Sequence, residues 1–281
     1  MGRLALLSNP ESGTGRADAV ERELRGLGAE VSVFPIQDPE PALGADPERI
    51  VVAGGDGSIG CAAALALRAG VPLAVVPVGT ANDFARALGL PEEPSDACRL
   101  AVHGHRLTPI ELGRMGERPF VNVASLGLPP AAARRAHGLK RRLGTLSYAV
   151  GAIRAGFAAE PVECKVIVEH GAEVYAGEVW QATVACSGAF GGGSQVDADP
   201  GDRMLDAVVV EAGSRLALVA RAYGMRAGRL EDQRGVHSRR ARAFEIEVPP
   251  DTSFNVDGEI CARSGRVPFR VEPNGVELVA G

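Results

Sequence analysis

Ile50-Val51-Val52-Ala53-Gly54-Gly55-Asp56-Gly57-Ser58 carries an apolar run into a glycine turn, and the alanine-rich stretch Ile59–Ala69 follows at once. Four consecutive apolar residues ending in a turn read as a strand covered on both faces, as in a parallel sheet. Three glycines around one aspartate then stand at the carboxyl end of that strand, where open α/β sheets bind ligands. Glycine lets the backbone wrap oxyanions, Ser58 is placed to cap the helix that follows, and Asp56 is left facing the cleft among phosphate-binding amides. A plain turn rarely combines three glycines with a carboxylate set among such amides. A catalytic or Mg²⁺-linked role for Asp56 therefore outweighs the plain turn.

The same alternation runs outward in both directions. Leu4–Ser8, Val31–Phe34 and Leu73–Val76 read as strands, Ala17–Leu27 as an amphipathic helix, and a short helix begins near Asn82. Strands separated by helices predict an α/β domain with a parallel sheet. Two further turns follow strands. Asn9-Pro10-Glu11-Ser12-Gly13-Thr14-Gly15-Arg16 offers two glycines and a helix N-terminus, which suits an anion, although Asn-Pro and Ser-Gly are ordinary turn dipeptides. In Pro77-Val78-Gly79-Thr80-Ala81-Asn82-Asp83-Phe84-Ala85-Arg86, Pro77 ends the strand and Asn82 or Asp83 can start a helix. Simple capping by Asp83 weighs about as much as a catalytic part, and Phe84 reads as core. A parallel sheet brings all three turns to one edge.

After Gly113 the pattern changes. Val162–Val168, Glu173–Ala185, Met204–Glu211, Ala243–Val248, Phe254–Val256 and Val267–Val271 read as strands with short turns, an antiparallel β-rich domain. Leu143–Phe157 and Arg215–Ala227 read as helices within it. The expected domains are 1–113, α/β, and 114–269, with residues from about 270 to 281 returning to the first.

Composition narrows the class. A chain of 281 residues is long enough for two cores. The apolar fraction is 46% and the charged fraction 23%, as in a folded globular protein. No apolar run reaches the roughly 20 residues that span a bilayer, and Leu4–Leu7 is too short for a secretory signal. Five scattered cysteines without a CxxC pair argue against zinc and disulfides and for a reducing cytosol. A net charge of −5 gives no general pull toward nucleic acid.

Taken together, Asn9-Pro-x-Ser-Gly-x-Gly15, Gly54-Gly-Asp-Gly-Ser58 and Pro77-x-Gly-Thr-x-Asn-Asp-Phe-Ala-Arg86 resemble the catalytic domain of the diacylglycerol kinase family. That family takes in bacterial diacylglycerol kinases, YegS-like lipid kinases and sphingosine and ceramide kinases. Phe120–Gly127, Leu143–Tyr148, Gly191–Gly193, Asp202-x-x-Leu-Asp206 and Asp257-Gly-Glu259 continue the resemblance in the family's order across nearly the whole chain. It implies an α/β nucleotide-binding domain, 1–113, joined to a β-sandwich lipid-substrate domain, 114–269, with ATP and Mg²⁺ in the cleft between them and a lipid hydroxyl as acceptor. The lipid would be met at a membrane surface from the cytoplasm, and a homodimer is compatible with this reading.

Carried over by position, Asn9, Ser12, Gly13, Gly15, Arg16, Gly54, Gly55, Gly57, Ser58, Gly79, Thr80 and Asn82 hold the nucleotide. Asp56 is the leading catalytic carboxylate, supported by Asp83, and Glu259 enters from the second domain. Asp56 and Glu259 share base and metal roles in an order the sequence leaves open. Without the family, Asp257-Gly258-Glu259 would read as a β-turn. A structural Mg²⁺ site is implied around Asp202. The chain departs from the pattern in several places. Gly60 and Cys61 stand where an Asn-Glu pair is usual, Arg203 where a glycine follows the aspartate, Cys186 where an asparagine precedes the triple glycine, and Glu111 where an aspartate is expected.

Other features have plainer readings. His103 and His105 read as solvent-exposed, and Gly191–Gly193 as a bulge or close approach. Arg134, Arg135, Lys140, Arg141 and Arg142, and again Arg239, Arg240 and Arg242, read as solvated faces or as docking points for anionic headgroups. Two rival functions share much of the pattern. One is a regulator that keeps the fold and lacks turnover, suggested by Cys61 and Arg203. The other is an NAD kinase-like enzyme, whose group shares the Gly-Gly-Asp-Gly loop, but Asn9–Gly15 and Pro77–Arg86 match the lipid kinases instead.

Overall fold

The computed structural model describes residues 2–9, 16–79, 82–127, 160–186, 189–190, 194–195, 202–214 and 233–281. The described chain runs β1 (Arg3–Ser8), α1 (Arg16–Gly26), β2 (Glu30–Pro35), β3 (Arg49–Gly54), α2 (Asp56–Ala69), β4 (Leu73–Pro77), α3 (Asp83–Ala87), α4 (Pro94–His103) and β5 (Arg106–Ile110). It continues through β6 (Gly113–Met115), β7 (Arg118–Phe120), β8 (Val123–Gly127), β9 (Val162–Val168), β10 (Glu173–Ala185), β11 (Ala189–Phe190) and β12 (Ser194–Gln195). It ends with β13 (Leu205–Glu211), β14 (Val236–Ala241), β15 (Ala243–Val256), β16 (Glu259–Val271) and β17 (Val276–Ala280). The helices expected over Leu143–Phe157 and Arg215–Ala227 lie outside the described residues.

Residues 1–112, 119–121 and 272–281 form one compact unit, and residues 113–118 and 122–271 a second. In the first, six strands take the order β2-β1-β3-β4-β17-β5. β1 to β4 are mutually parallel, β17 is parallel to β4, and β5 runs antiparallel to β17. The two faces sort by sequence parity. Ala5, Leu7, Ile50, Val52, Leu73 and Val75 pack with the buried side of α2, including Ile59, Ala62, Ala63 and Ala66. Leu4, Leu6, Val51, Ala53, Ala74 and Val76 pack with Val20 and Leu24 of α1 and with Ala97, Cys98 and Ala101 of α4. Each fully buried Leu, Ile or Val contributes about 1.5–3 kcal/mol relative to exposure, so this two-sided burial is the main force on the fold. Helix α4 was not foreseen from the sequence. Its C-terminus is tied down by Arg49, whose guanidinium donates to the carbonyls of Ala101 at 2.7 Å and Gly104 at 2.6 Å.

The second unit is antiparallel. Its sheet has the order β14-β13-β10-β8-β15-β16-β6-β7, with β9 pairing both β10 and β15. Strand β10 meets β9 over Glu173–Val179 and β8 over Gln181–Ala185, and its register against β13 slips between Val179 and Gln181. Strand β15 likewise pairs β9 through Phe244–Glu247 and β8 through Phe254–Val256, with a slip against β16 between Val248 and Thr252. Bulges where one long strand changes partners are how a continuous sheet turns corners into a sandwich or barrel. Phe244, Phe254 and Phe269 are fully buried in this unit. The α/β-plus-β-sandwich architecture expected from the sequence is therefore the one observed. Among the described residues no helix is long and apolar enough to cross a membrane.

Candidate functional site

The order β2-β1-β3-β4 places β2 and β3 on opposite sides of β1, so the chain reverses direction there. Outside the carboxyl ends of β1 and β3 is the switch point at which open α/β sheets hold ligands. Register aligns the strand ends. Ser8 pairs with Ala53, and Gly54 with Pro77. The segments after β1, β3 and β4 thus leave one edge of the sheet together. Asn9 begins the first, and its Oδ1 accepts a hydrogen bond from Gln37 Nε2 at 2.8 Å. Arg16 is the first residue of α1. Ser12, Gly13, Gly15 and Thr80 lie outside the described residues.

The second and third segments touch through their glycines. A Cβ on Gly79 would stand 2.5 Å from Gly55 Cα, and one on Gly55 would stand 3.3 Å from Gly79 Cα. Only glycine backbones approach so closely without displacement. Main-chain bonding supports the contact, since Val78 N donates to Gly54 O at 3.1 Å. Gly55 is the N-cap of the 14-residue α2, with Asp56, Gly57 and Ser58 in its first turn. That helix end carries partial positive charge and suits an anion. Ser58 does not cap α2, as the sequence had suggested it would. Gly55 caps α2 without a side-chain bond, and the Ser58 side chain instead covers Gly54, where a Cβ would stand 2.8 Å from Ser58 Oγ.

Asp56 does more than face a cleft. Its Oδ1 accepts from Phe84 N at 2.8 Å and its Oδ2 from Asp83 N at 3.1 Å. The carboxylate therefore satisfies the first amides of α3, a task the N-cap residue itself leaves undone. That N-cap, Asn82, has a left-handed backbone (φ 51°) and makes no side-chain cap bond. Its Nδ2 donates to Gly79 O at 3.3 Å, while Oδ1 is buried with no hydrogen-bond partner. Asp83 is drawn close to Asp56. Burial first, and the charge of Asp56 second, push its carboxyl above the ordinary range, partly offset by Arg86. Arg86 Nη1 lies 3.2 Å from Asp83 Oδ1. Phe84 is 2% exposed and belongs to the core.

Helix α2 packs closely at Gly60. A Cβ there would stand 3.0 Å from Pro119 O and 3.3 Å from Phe120 Cα, so α2 packs directly on that backbone.

In the second unit, the Asp-Gly-Glu segment divides its work. Asp257 is buried, and its Oδ1 accepts from Asn122 N at 3.0 Å and Val123 N at 2.8 Å. It holds the start of β8 to the β15–β16 turn, a role the sequence reading missed because those partners lie 135 and 134 positions away. Glu259 opens β16 with an exposed side chain, ion-paired with Arg118. Asp202 Oδ1 accepts from Met204 N at 2.8 Å, and its Oδ2 lies 3.1 Å from Arg240 Nη1. The residues described around Asp202 do not fit a divalent ion, because a guanidinium already faces the carboxylate. No group of three or more His, Cys, Asp or Glu suited to a metal occurs among the described residues. Gly191–Gly193 and the Arg134–Arg142 cluster lie outside the described residues, and His103 and His105 are exposed.

The groups at the sheet edge fit a magnesium nucleotide in their chemistry. Helix-end amides match phosphate, and the orphaned Asn82 Oδ1 matches an N–H or O–H donor. Asp56 and Asp83 supply the one or two carboxylates with which Mg²⁺ usually joins phosphate oxygens.

Residues 3–115 match the family model described as "Diacylglycerol kinase catalytic domain", and residues 122–280 match that of the "YegS C-terminal NAD kinase beta sandwich-like domain". A diacylglycerol kinase of Bacillus subtilis (strain 168) is 30% identical over 216 residues, covering 75% of this chain and 70% of its own. A Serratia proteamaculans (strain 568) protein named "Probable lipid kinase YegS-like" is 31% identical over 240 residues, covering 81% of this chain and 75% of its own. In structure, a diacylglycerol kinase from Bacillus anthracis str. Sterne superposes with a TM-score of 0.75 at 20% identity, covering 100% of this chain and 97% of that one. An Archaeoglobus fulgidus NAD kinase, solved in complex with ATP, gives a TM-score of 0.57 at 15% identity, covering 99% and 93%. The matched domains, the relatives and the shared fold agree: this chain belongs to the family of diacylglycerol kinases and YegS-like lipid kinases.

Proposed function

We propose that this protein is an ATP- and Mg²⁺-dependent kinase that phosphorylates a lipid hydroxyl, with diacylglycerol the first acceptor to test. The observation that carries this reading is the convergence of the β1, β3 and β4 ends, with the Gly55–Gly79 contact, the α2 N-terminus and Asp56 on one edge. Asn9, Ser12, Gly13, Gly15, Arg16, Gly54, Gly55, Gly57, Ser58, Gly79, Thr80 and Asn82 are proposed to hold the nucleotide. The relation to an NAD kinase crystallised with ATP supports ATP as the donor.

Phosphoryl transfer asks little covalent help of a protein. The lipid hydroxyl oxygen attacks the γ-phosphorus in line, the bond to the β–γ bridging oxygen breaks, and ADP departs. The hydroxyl proton passes to a carboxylate, Asp56 or Glu259. The amides of the α2 turn stabilise charge on the transferring group. Mg²⁺, held by Asp56 with Asp83 beside it and by the nucleotide phosphates, would neutralise phosphate charge. A carboxylate oxygen can accept more than one bond, so capping α3 and holding Mg²⁺ are compatible tasks for Asp56. The enzyme is proposed to work in the cytoplasm and to touch the membrane transiently.

Titration calorimetry with ATP in the presence of Mg²⁺ tests the first half of this reading, and absence of binding at millimolar ATP would remove it. Mass spectrometry of a lipid extract incubated with protein, Mg²⁺ and ATP tests the second, with NAD as a parallel acceptor. Phosphorylated NAD without phosphorylated lipid would reassign the acceptor.

A further inference from the structure

Arg240 lies directly opposite Asp206 in the β13–β14 ladder. Its Nε donates to Asp206 Oδ1 at 2.9 Å, and its Nη1 lies 3.1 Å from Asp202 Oδ2. One guanidinium fork thus joins two carboxylates four positions apart. Register fixes Arg240 from the strand side. The bond from Met204 N to Asp202 Oδ1 fixes the aspartate from the loop side. Between them Arg203 adopts φ 61°, a left-handed conformation that favours glycine. Asp206 is largely buried, with its side chain 12% exposed, and the side chain of Asp202 is 25% exposed. Two carboxylates brought this close repel unless a cation lies between them, and a planar, permanently charged guanidinium answers both.

We infer that Arg240 is a built-in counter-ion that takes, at Asp202 and Asp206, the place a divalent cation would otherwise fill. The second unit then needs no metal at this junction, and any Mg²⁺ requirement belongs to the nucleotide alone. The inference is independent of the catalytic reading, because its test contains no nucleotide.

Thermal melts of the full chain, followed by circular dichroism in EDTA, MgCl₂ and CaCl₂, provide that test. Wild-type protein is expected to melt at one temperature in all three. Arg240→Met is expected to melt several degrees lower in EDTA and to recover part of the loss in Ca²⁺ or Mg²⁺, because its paired carboxylates then accept an ion. Arg240→Lys, which keeps the charge and loses the fork, is expected to fall less and to ignore metal. A wild-type melt that drops in EDTA and recovers saturably with Mg²⁺ would overturn the inference. So would an Arg240→Met protein as stable as wild type, or one indifferent to both metals. Should Arg240→Met fail to fold, the wild-type and Arg240→Lys melts still decide.

Discussion

Gly55 and Gly79 lie back to back across two loops, so close that a Cβ on Gly79 would stand 2.5 Å from Gly55 Cα and 2.7 Å from Asn82 Oδ1. The contact sets the spacing between the α2 turn and the turn that leads to Asp83. Gly79→Ala must push the loops apart, and forcing a methyl into packed backbone costs about 1–3 kcal/mol. Urea unfolding should show that loss, and titration calorimetry a weaker affinity for ATP. Unchanged stability together with unchanged affinity would mean that the loops do not act as one unit.

Asp83 makes a second expectation, with its sign fixed by linkage. Its carboxyl is raised above the ordinary value of 3.8 by burial and by Asp56. The folded protein therefore binds this proton more tightly than the unfolded chain. The group lowers stability as pH rises from about 3.8 through the raised folded value, and the penalty is fully present at neutral pH. Asp83→Asn should melt higher than wild type at neutral pH, and the advantage should vanish below the ordinary carboxyl range. Losing the partly exposed pair with Arg86 offsets little of this. If Asp83 also serves catalysis, the stabilised variant should phosphorylate lipid more slowly, a trade common at active sites.

The cysteines separate by burial. Cys98 is pushed up to about 11 and Cys164 to about 12, both chiefly by burial. Their thiols stay protonated and shielded at neutral pH, whereas Cys61 and Cys261 are partly exposed. Thiolate character and access govern alkylation. Iodoacetamide on native protein should label Cys61 and Cys261 and spare Cys98, Cys164 and Cys186. Peptide mapping that finds Cys164 labelled as fast as Cys261 would contradict the packing described for β9.

Much of the architecture was legible because buried parallel strands announce themselves. Ile50–Ala53 and Leu73–Val76 were read within a residue of β3 and β4. Edge strands hide. Only Ile110 of β5 is buried, and β5 is recruited by β17, far away in sequence. Helix α4 presents mainly Ala97, Cys98 and Ala101 to the core, a small-residue stripe with weak apolar contrast. At the site, glycine spacing exposed the turns around Asp56, but its bonds to amides 27 and 28 positions on left no local trace. The partners of Asp257 and Arg240 were illegible for the same reason, since they lie 135, 134 and 34 positions away in sequence.

The central claim concerns Asp56, which both caps α3 and is proposed to serve the transfer. The amide group of Asn replaces one accepting oxygen with a donor, so Asp56→Asn should lose about 1 kcal/mol of local stability, as for a helix cap. A melt of each preparation separates that loss from chemistry. The decisive measurement follows the γ-phosphoryl of labelled ATP into diacylglycerol in mixed micelles with Mg²⁺, for wild type and for folded Asp56→Asn. Wild type should form labelled phosphatidic acid, and Asp56→Asn should do so about 10²–10⁴-fold more slowly, the range for a positioned proton acceptor. Undiminished transfer by folded Asp56→Asn would contradict the assignment and leave the glycine turn as a phosphate cradle alone.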